Sequence, residues 1–212
     1  LMIVDTTAPL QRCTSPAGLS SIREPGTAAT VWERAPLPGF QAWIDALPPS
    51  QLPHTRVILR AEAVCDALIE IADFHKMPKG AERNMLIEDA AALALIFGDL
   101  MRCDHVQLRL DVVDTNACSK FHIDAVTARL VCTYRGTGTQ YGISERGKEP
   151  AEILTVPTGS PIFLRGTRWP ESPPVGLLHR SPPIAGTGET RLLLVLDPVT
   201  DPEQDDDTIY IH

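Results

Sequence analysis

The chain has 212 residues, with 27 acidic against 19 basic side chains and a formal net charge of −8. At roughly 100–200 residues per domain that is one domain, with a core large enough to fold without disulfides or a structural metal. The acidic balance excludes a broad nucleic-acid-binding surface, and no run of about 18 apolar residues is present to span a membrane.

The opening Leu1-Met2-Ile3-Val4-Asp5 lacks the basic-then-apolar pattern of a secretory leader, so a cytoplasmic protein with reduced thiols is expected. Five cysteines (13, 65, 103, 118 and 132) without a CxxC pair argue against a disulfide framework and a Cys-type zinc finger. Cys65, Cys103 and Cys132 read as core filler. Nineteen prolines are unevenly spread: eight lie in 1–53, one, Pro78, in 54–149, Pro150 directly after, and nine in 157–202. Only the middle is free to form long helices. The division expected from this is a Pro-rich N-terminal extension, 1–60, packed on a single domain, 61–212.

In chain order, residues 1–35 read as an extended, turn-rich lead-in. Phe40, Trp43, Ile44 and Leu47 have i, i+3, i+4, i+7 spacing, which predicts a short helix stopped by Pro48-Pro49. A second helix is predicted over 61–75, with Val64, Leu68, Ile71 and Ala72 on one face. A third, over 82–101, is apolar nearly all round and so expected to be buried against a sheet. The period then changes to two. Strands are predicted over 105–113, 118–124, 128–134, 152–156, 161–165, 175–180 and 191–197, separated by Gly, Pro, Ser and Thr clusters. Strands gathered after a helical half predict an α+β fold built on a jelly roll, not a βαβ sheet.

The chemistry lies in Phe121-His122-Ile123-Asp124. On a strand, alternation puts His122 and Asp124 on one face. His179, late in a β-like run, can supply a third ligand, and two imidazoles with one carboxylate form the facial triad of non-haem iron(II) sites. Arg191 opens the strand that follows the next turn, where a guanidinium can pair a carboxylate bidentately. Arg129 and Tyr134 lie on opposite faces of their strand, so only one can face the cavity: Tyr134 as a donor to a bound carboxylate, or Arg129 as a substrate anchor. Arg165, Arg168 and Arg180 add cationic charge to this half and hint at an anionic ligand. Cys118 is an additional soft donor or, more simply, a turn thiol. Gly136-Thr137-Gly138-Thr139 opens no helix and is read as a loop near the site, not a phosphate loop. His54, His75, His105 and His212 have no assignable partner.

This order of residues (His122-x-Asp124, then His179, then Arg191) resembles the iron(II)/2-oxoglutarate-dependent dioxygenases, which are double-stranded β-helix, cupin-like proteins. The resemblance implies that His122, Asp124 and His179 bind iron, that Arg191 holds the far carboxylate of 2-oxoglutarate, and that a small molecule is oxidised. More locally, Phe121-His122-x-Asp124, the run Arg129 to Gly136, Arg168-Trp169-Pro170 and His179-Arg180-Ser181-Pro182-Pro183 resemble the bacterial domain-of-unknown-function family 1826. Its association with zinc-homeostasis genes leaves an alternative: a zinc-binding protein using the same three ligands without oxygenase activity. Oligomeric state is not readable from the sequence.

Overall fold

The computed structural model describes residues 9–36, 38–144, 148–171 and 176–203. Val175, the acidic run 205–207, His212 and the opening five residues lie outside them.

The three predicted helices form as α1 (Phe40–Ala46), α2 (Val64–Phe74) and α3 (Ala81–Met101). α1 starts from Gly39, which adopts a left-handed φ of 78°, and ends where Pro48 and Pro49 offer no N–H. α3 starts after Gly80 and stops at Arg102, also left-handed (φ 53°). Its burial differs from expectation. The buried residues form one stripe, Arg83, Leu86, Ile87, Ala90, Leu93, Ala94, Phe97 and Gly98, while Leu95 on the far side is 48% exposed. Its apolar composition overstates how much of the helix the sheet covers.

Among the described residues ten strands follow the order β1 (Leu10–Cys13), β2 (Ala29–Trp32), β3 (Thr55–Arg60), β4 (His105–Val113), β5 (Ala128–Arg135), β6 (Gln140–Ile143), β7 (Leu154–Thr155), β8 (Pro161–Arg165), β9 (Leu177–Arg180) and β10 (Arg191–Val199). Seven build one sheet in the order β1-β2-β8-β5-β10-β4-β3, and three build a second, β7-β6-β9. Four of the ten were not predicted. β1, β2 and β3 come from the stretch read as a lead-in and its neighbour. β2 is buried on both faces and shows no alternation. β6 contains Gly142, where a Cβ would meet Glu152 O and Pro150 Cβ at 2.4 Å.

The large sheet has two unlike faces. Leu108, Leu110, Leu130, Cys132, Leu192, Leu194 and Leu196 pack against the helices. Val131, Ile162, Leu164, Leu193 and Val195 face the small sheet, meeting Tyr141 and Leu177. The fold is thus mixed α+β, with helices on one face of a large sheet and a small sheet on the other. At the end of β5 the register slips. Leu193 pairs with Thr133 and Leu192 with Arg135, so Tyr134 is an extra residue in a bulge. The slip turns Arg135 to the helix side, where it donates to the carbonyls of Ile44 and Leu47.

Candidate metal centre

The predicted strand 118–124 does not form. Cys118 takes a left-handed φ of 56°, exposed, in a turn, and the chain reaches the sheet only at His122. There His122 and His179 exchange backbone hydrogen bonds, His122 N–H to His179 O at 3.0 Å and His179 N–H to His122 O at 3.1 Å. Two residues 57 positions apart are thereby placed opposite each other, one on β9 and one on the irregular segment. Asp124 follows as the chain bends toward β5.

His122, Asp124 and His179 each offer a ligating atom, and all three atoms lie within 4.8 Å of one another. His179 Nε2 stands 2.9 Å from Asp124 Oδ2 and His122 Nε2 3.4 Å from Oδ1. His122 Nδ1 is 2.7 Å from the Lys120 carbonyl, which selects the Nδ1–H tautomer and frees Nε2 as a lone-pair donor. Asp124 Oδ2 is buried and has no hydrogen-bond partner, despite the nearby His179. A buried carboxylate oxygen without a partner is costly. A cation held between the two imidazoles and this oxygen removes the cost, so the donor set fits a divalent ion.

The protonation states agree with that geometry. Burial alone would raise the Asp124 carboxyl, but His122, His179 and Arg129 outweigh it and hold it well below the usual range, as the anion. Burial pushes His179 down, against the pull of Asp124, so it is neutral. His122, 35% exposed, is raised by its hydrogen bond to Asp124 against the effect of burial, so that metal binding and protonation compete at Nε2.

Arg191 is fully buried and shares the inner face of β10 with Leu193 and Val195. Its Nε donates to Thr137 O at 2.7 Å and its Nη2 reaches Thr133 Oγ1 at 3.4 Å, but Nη1 has no partner. Burial lowers its pKa, and Glu189 works in the opposite direction. Glu189 is itself engaged by the N–H and hydroxyl of Thr137. The loop that begins at Gly136 therefore helps to shape the surroundings of Arg191.

Of the two faces of β5, the Arg129 face is the one turned to the small sheet. The Arg129 guanidinium is engaged by two carboxylates: Nη1 donates to Asp124 Oδ1 at 2.6 Å, and Nε and Nη2 donate to the two oxygens of Asp197 at 2.7 Å. Tyr134 lies on the opposite side. Its hydroxyl donates to Asp89 Oδ2 at 2.7 Å, and Asp89 also receives a bidentate pair from Arg34. The structure thus brings together His122, Asp124, His179 and Arg129, sets Arg191 on the same interior face, and keeps Tyr134 away. Arg165 donates to the carbonyls of Ile22 and Glu24 and lies over Trp169. Arg180 stacks on Phe121 and donates to Gln140, and Arg168 is exposed. These three do not converge on the triad. Asp197 escaped the sequence reading. Its signal was an acidic residue closing an otherwise apolar strand, in phase with Arg191 and Val195.

No curated protein matches the chain. Among solved structures it is similar to the dioxygenase for auxin oxidation of rice, at 12% identity and a TM-score of 0.51, covering 93% of this chain and 84% of the other. It is also similar to dioxygenase for auxin oxidation 1 of Arabidopsis thaliana in a 2-oxoglutarate complex, at 10% identity and a TM-score of 0.50, covering 91% and 92%. At such identities the likeness is one of fold. The family model for a protein of unknown function, DUF1826, matches residues 13–197, and the chain belongs to that family.

Proposed function

We propose that this protein is a non-haem iron(II)/2-oxoglutarate-dependent oxygenase acting on a small organic molecule, with its two sheets forming a double-stranded β-helix. One observation carries the reading: three donor atoms converge around a partnerless Asp124 Oδ2, and a fully buried Arg191 with a free Nη1 lies on the same interior face. Iron(II) with 2-oxoglutarate supplies the oxidising chemistry, coupling decarboxylation of the co-substrate to oxidation of the substrate.

The protein's residues do the rest. His122 Nε2, Asp124 Oδ2 and His179 Nε2 would hold the ion, and a three-donor set of this kind would leave positions for further ligands. Arg191 would pair the distal carboxylate of 2-oxoglutarate through Nη1, which has no acceptor among the described residues. Thr133 and Thr137 hold the guanidinium in place. The apolar lining of Val131, Leu193 and Val195 keeps water from the interior between them.

A zinc-binding role in the same three-ligand site would leave Arg191 a buried cation without use, and Arg191 is the observation that favours the oxygenase. Anaerobic addition of iron(II) and 2-oxoglutarate tests it. A visible metal-to-ligand absorption band that needs both additions is expected, along with its loss in His179→Ala. Absence of the band, with zinc retained through purification and 2-oxoglutarate binding indifferent to Arg191→Ala, would leave the zinc reading standing instead.

A further inference from the structure

Hydrogen bonds link three charged side chains, Asp197, Arg129 and Asp124, at the candidate metal centre. Asp197 receives Nε and Nη2 of Arg129 through both its oxygens, and Asp124 Oδ1 receives Nη1. Bidentate pairing fixes the plane of a guanidinium, so Asp197 sets the direction in which Nη1 points. The strands fix Asp197 in turn: Leu196 pairs with Leu130, which brings the next residue of β10 beside Arg129 on β5. All three side chains are mostly buried, at 19%, 11% and 10% exposure for Arg129, Asp124 and Asp197. Neutralising Arg129 would need only one carboxylate, and Asp197 alone supplies it. The contact to Asp124 therefore has a consequence of its own: of the two oxygens of Asp124, Oδ1 is taken and Oδ2 is left open.

We propose that Arg129, backed by Asp197, is a positioning residue that confines Asp124 to one ligating oxygen, Oδ2. This rests on the metal-site reading above. A facial set of three donors on a six-coordinate ion leaves three positions. A carboxylate bound through both oxygens would take one of them, and a chelating 2-oxo acid would then fill the remaining two. By occupying Oδ1, Arg129 keeps the third position open for a further ligand.

Cobalt(II), whose visible absorption reports coordination number, is the probe. It is titrated into wild type, Arg129→Met, Arg129→Lys, Asp197→Asn and His122→Ala, followed by 2-oxoglutarate, with unfolding recorded for each. Arg129→Met is expected to change the shape and intensity of the cobalt spectrum in two readouts, with metal alone and with 2-oxoglutarate added, to lose no more cobalt affinity than the about 10–100-fold usual for a lost outer-sphere partner, and to bind 2-oxoglutarate about as tightly as wild type, since two positions remain for it. Asp197→Asn should move both readouts the same way by less, and Arg129→Lys should restore only part. A purely structural pair would lower cobalt and 2-oxoglutarate binding together, in step with stability. That result, or spectra of Arg129→Met and Asp197→Asn that superimpose on wild type in both readouts, overturns the proposal. Should Arg129→Met not fold, Arg129→Lys and Asp197→Asn decide by the same criteria. If wild type and His122→Ala take up cobalt alike, the metal-site reading itself has failed and the proposal falls with it.

Discussion

Arg191→Met separates a functional buried cation from a structural one. In the wild type the guanidinium has one good bond, to Thr137 O, a long one to Thr133 Oγ1, and a buried Nη1 with no partner. Removing it forfeits a charge-assisted hydrogen bond, about 1.5–3 kcal/mol. It also removes an unsatisfied buried donor, about 1–3 kcal/mol, and the desolvation cost of a cation whose nearest anion, Glu189, is engaged with Thr137. These effects nearly cancel. The ligand-free variant should lie within about 1 kcal/mol of wild type, a melting shift of about 2–4 °C for a chain of this size. Its response to ligand should differ sharply. With manganese(II) bound and 2-oxoglutarate at about 100 times its Kd, wild type should gain about 2.7 kcal/mol, or about 5–11 °C. Losing the carboxylate partner should weaken binding about 100-fold, which at the same concentration leaves a gain of about 0.4 kcal/mol. Anaerobic differential scanning fluorimetry reads both quantities. If ligand-free Arg191→Met loses more than about 3 kcal/mol while the 2-oxoglutarate response is unchanged, Arg191 is a structural residue and the anion-site argument is wrong.

Other variants probe the surroundings. Tyr134→Phe removes one of the donors to Asp89 and should cost about 1.5–3 kcal/mol of stability, read by urea unfolding, with metal affinity unchanged because Tyr134 lies on the helix side of the sheet. Gly166→Ala should be worse for the site than for the fold: its Cβ would fall 1.9 Å from Val126 O and 2.8 Å from Asp124 O, pushing the segment that carries Asp124. A loss of about 1–3 kcal/mol together with weaker manganese binding by isothermal titration is expected, and unchanged metal binding would show that the segment adapts. Burial, and then His54, lowers His75 below the ordinary histidine value. The unfolded chain then takes up the proton first, so His75 costs stability as pH falls through about 6.5. Replacement by Gln should flatten that part of the stability–pH profile between about pH 7 and 5, as measured by urea midpoints.

Much of the candidate site was legible because its residues break a pattern. A His and an Asp two positions apart in an apolar run, and an Arg opening the leucine-rich stretch of β10, are polar groups where alternation expects none. The three helices were legible from the 3.6 period and from Pro48, Pro49, Gly80 and Pro78 as stops. What escaped has physical causes. β2 is buried on both sides and shows no period, and Gly142 hides β6 because the close approach of Pro150 demands a residue without a side chain. The sequence left the choice between Arg129 and Tyr134 open. Packing makes it: the helices need Leu130, Cys132 and Tyr134, and the other face goes to the site. The strand expected at 118–124 failed at the left-handed turn of Cys118, a conformation that no periodicity announces. Asp197 was invisible because its role depends on a cross-strand neighbour, and register across 68 residues of chain is not written in local order.

The mutual backbone pairing of His122 and His179 makes the candidate centre a site whose frame is independent of its lining. Both imidazoles hang from one closed ring of peptide hydrogen bonds, so their attachment points stay put whatever the side chains are. Deleting either ring should leave a hole with the outline of an imidazole beside two surviving donors. Such a hole should accept free imidazole from solution, so ligand-truncated forms of this protein would become receptors for small heterocycles and, with an ion bound, a means of placing a chosen, exchangeable donor beside it.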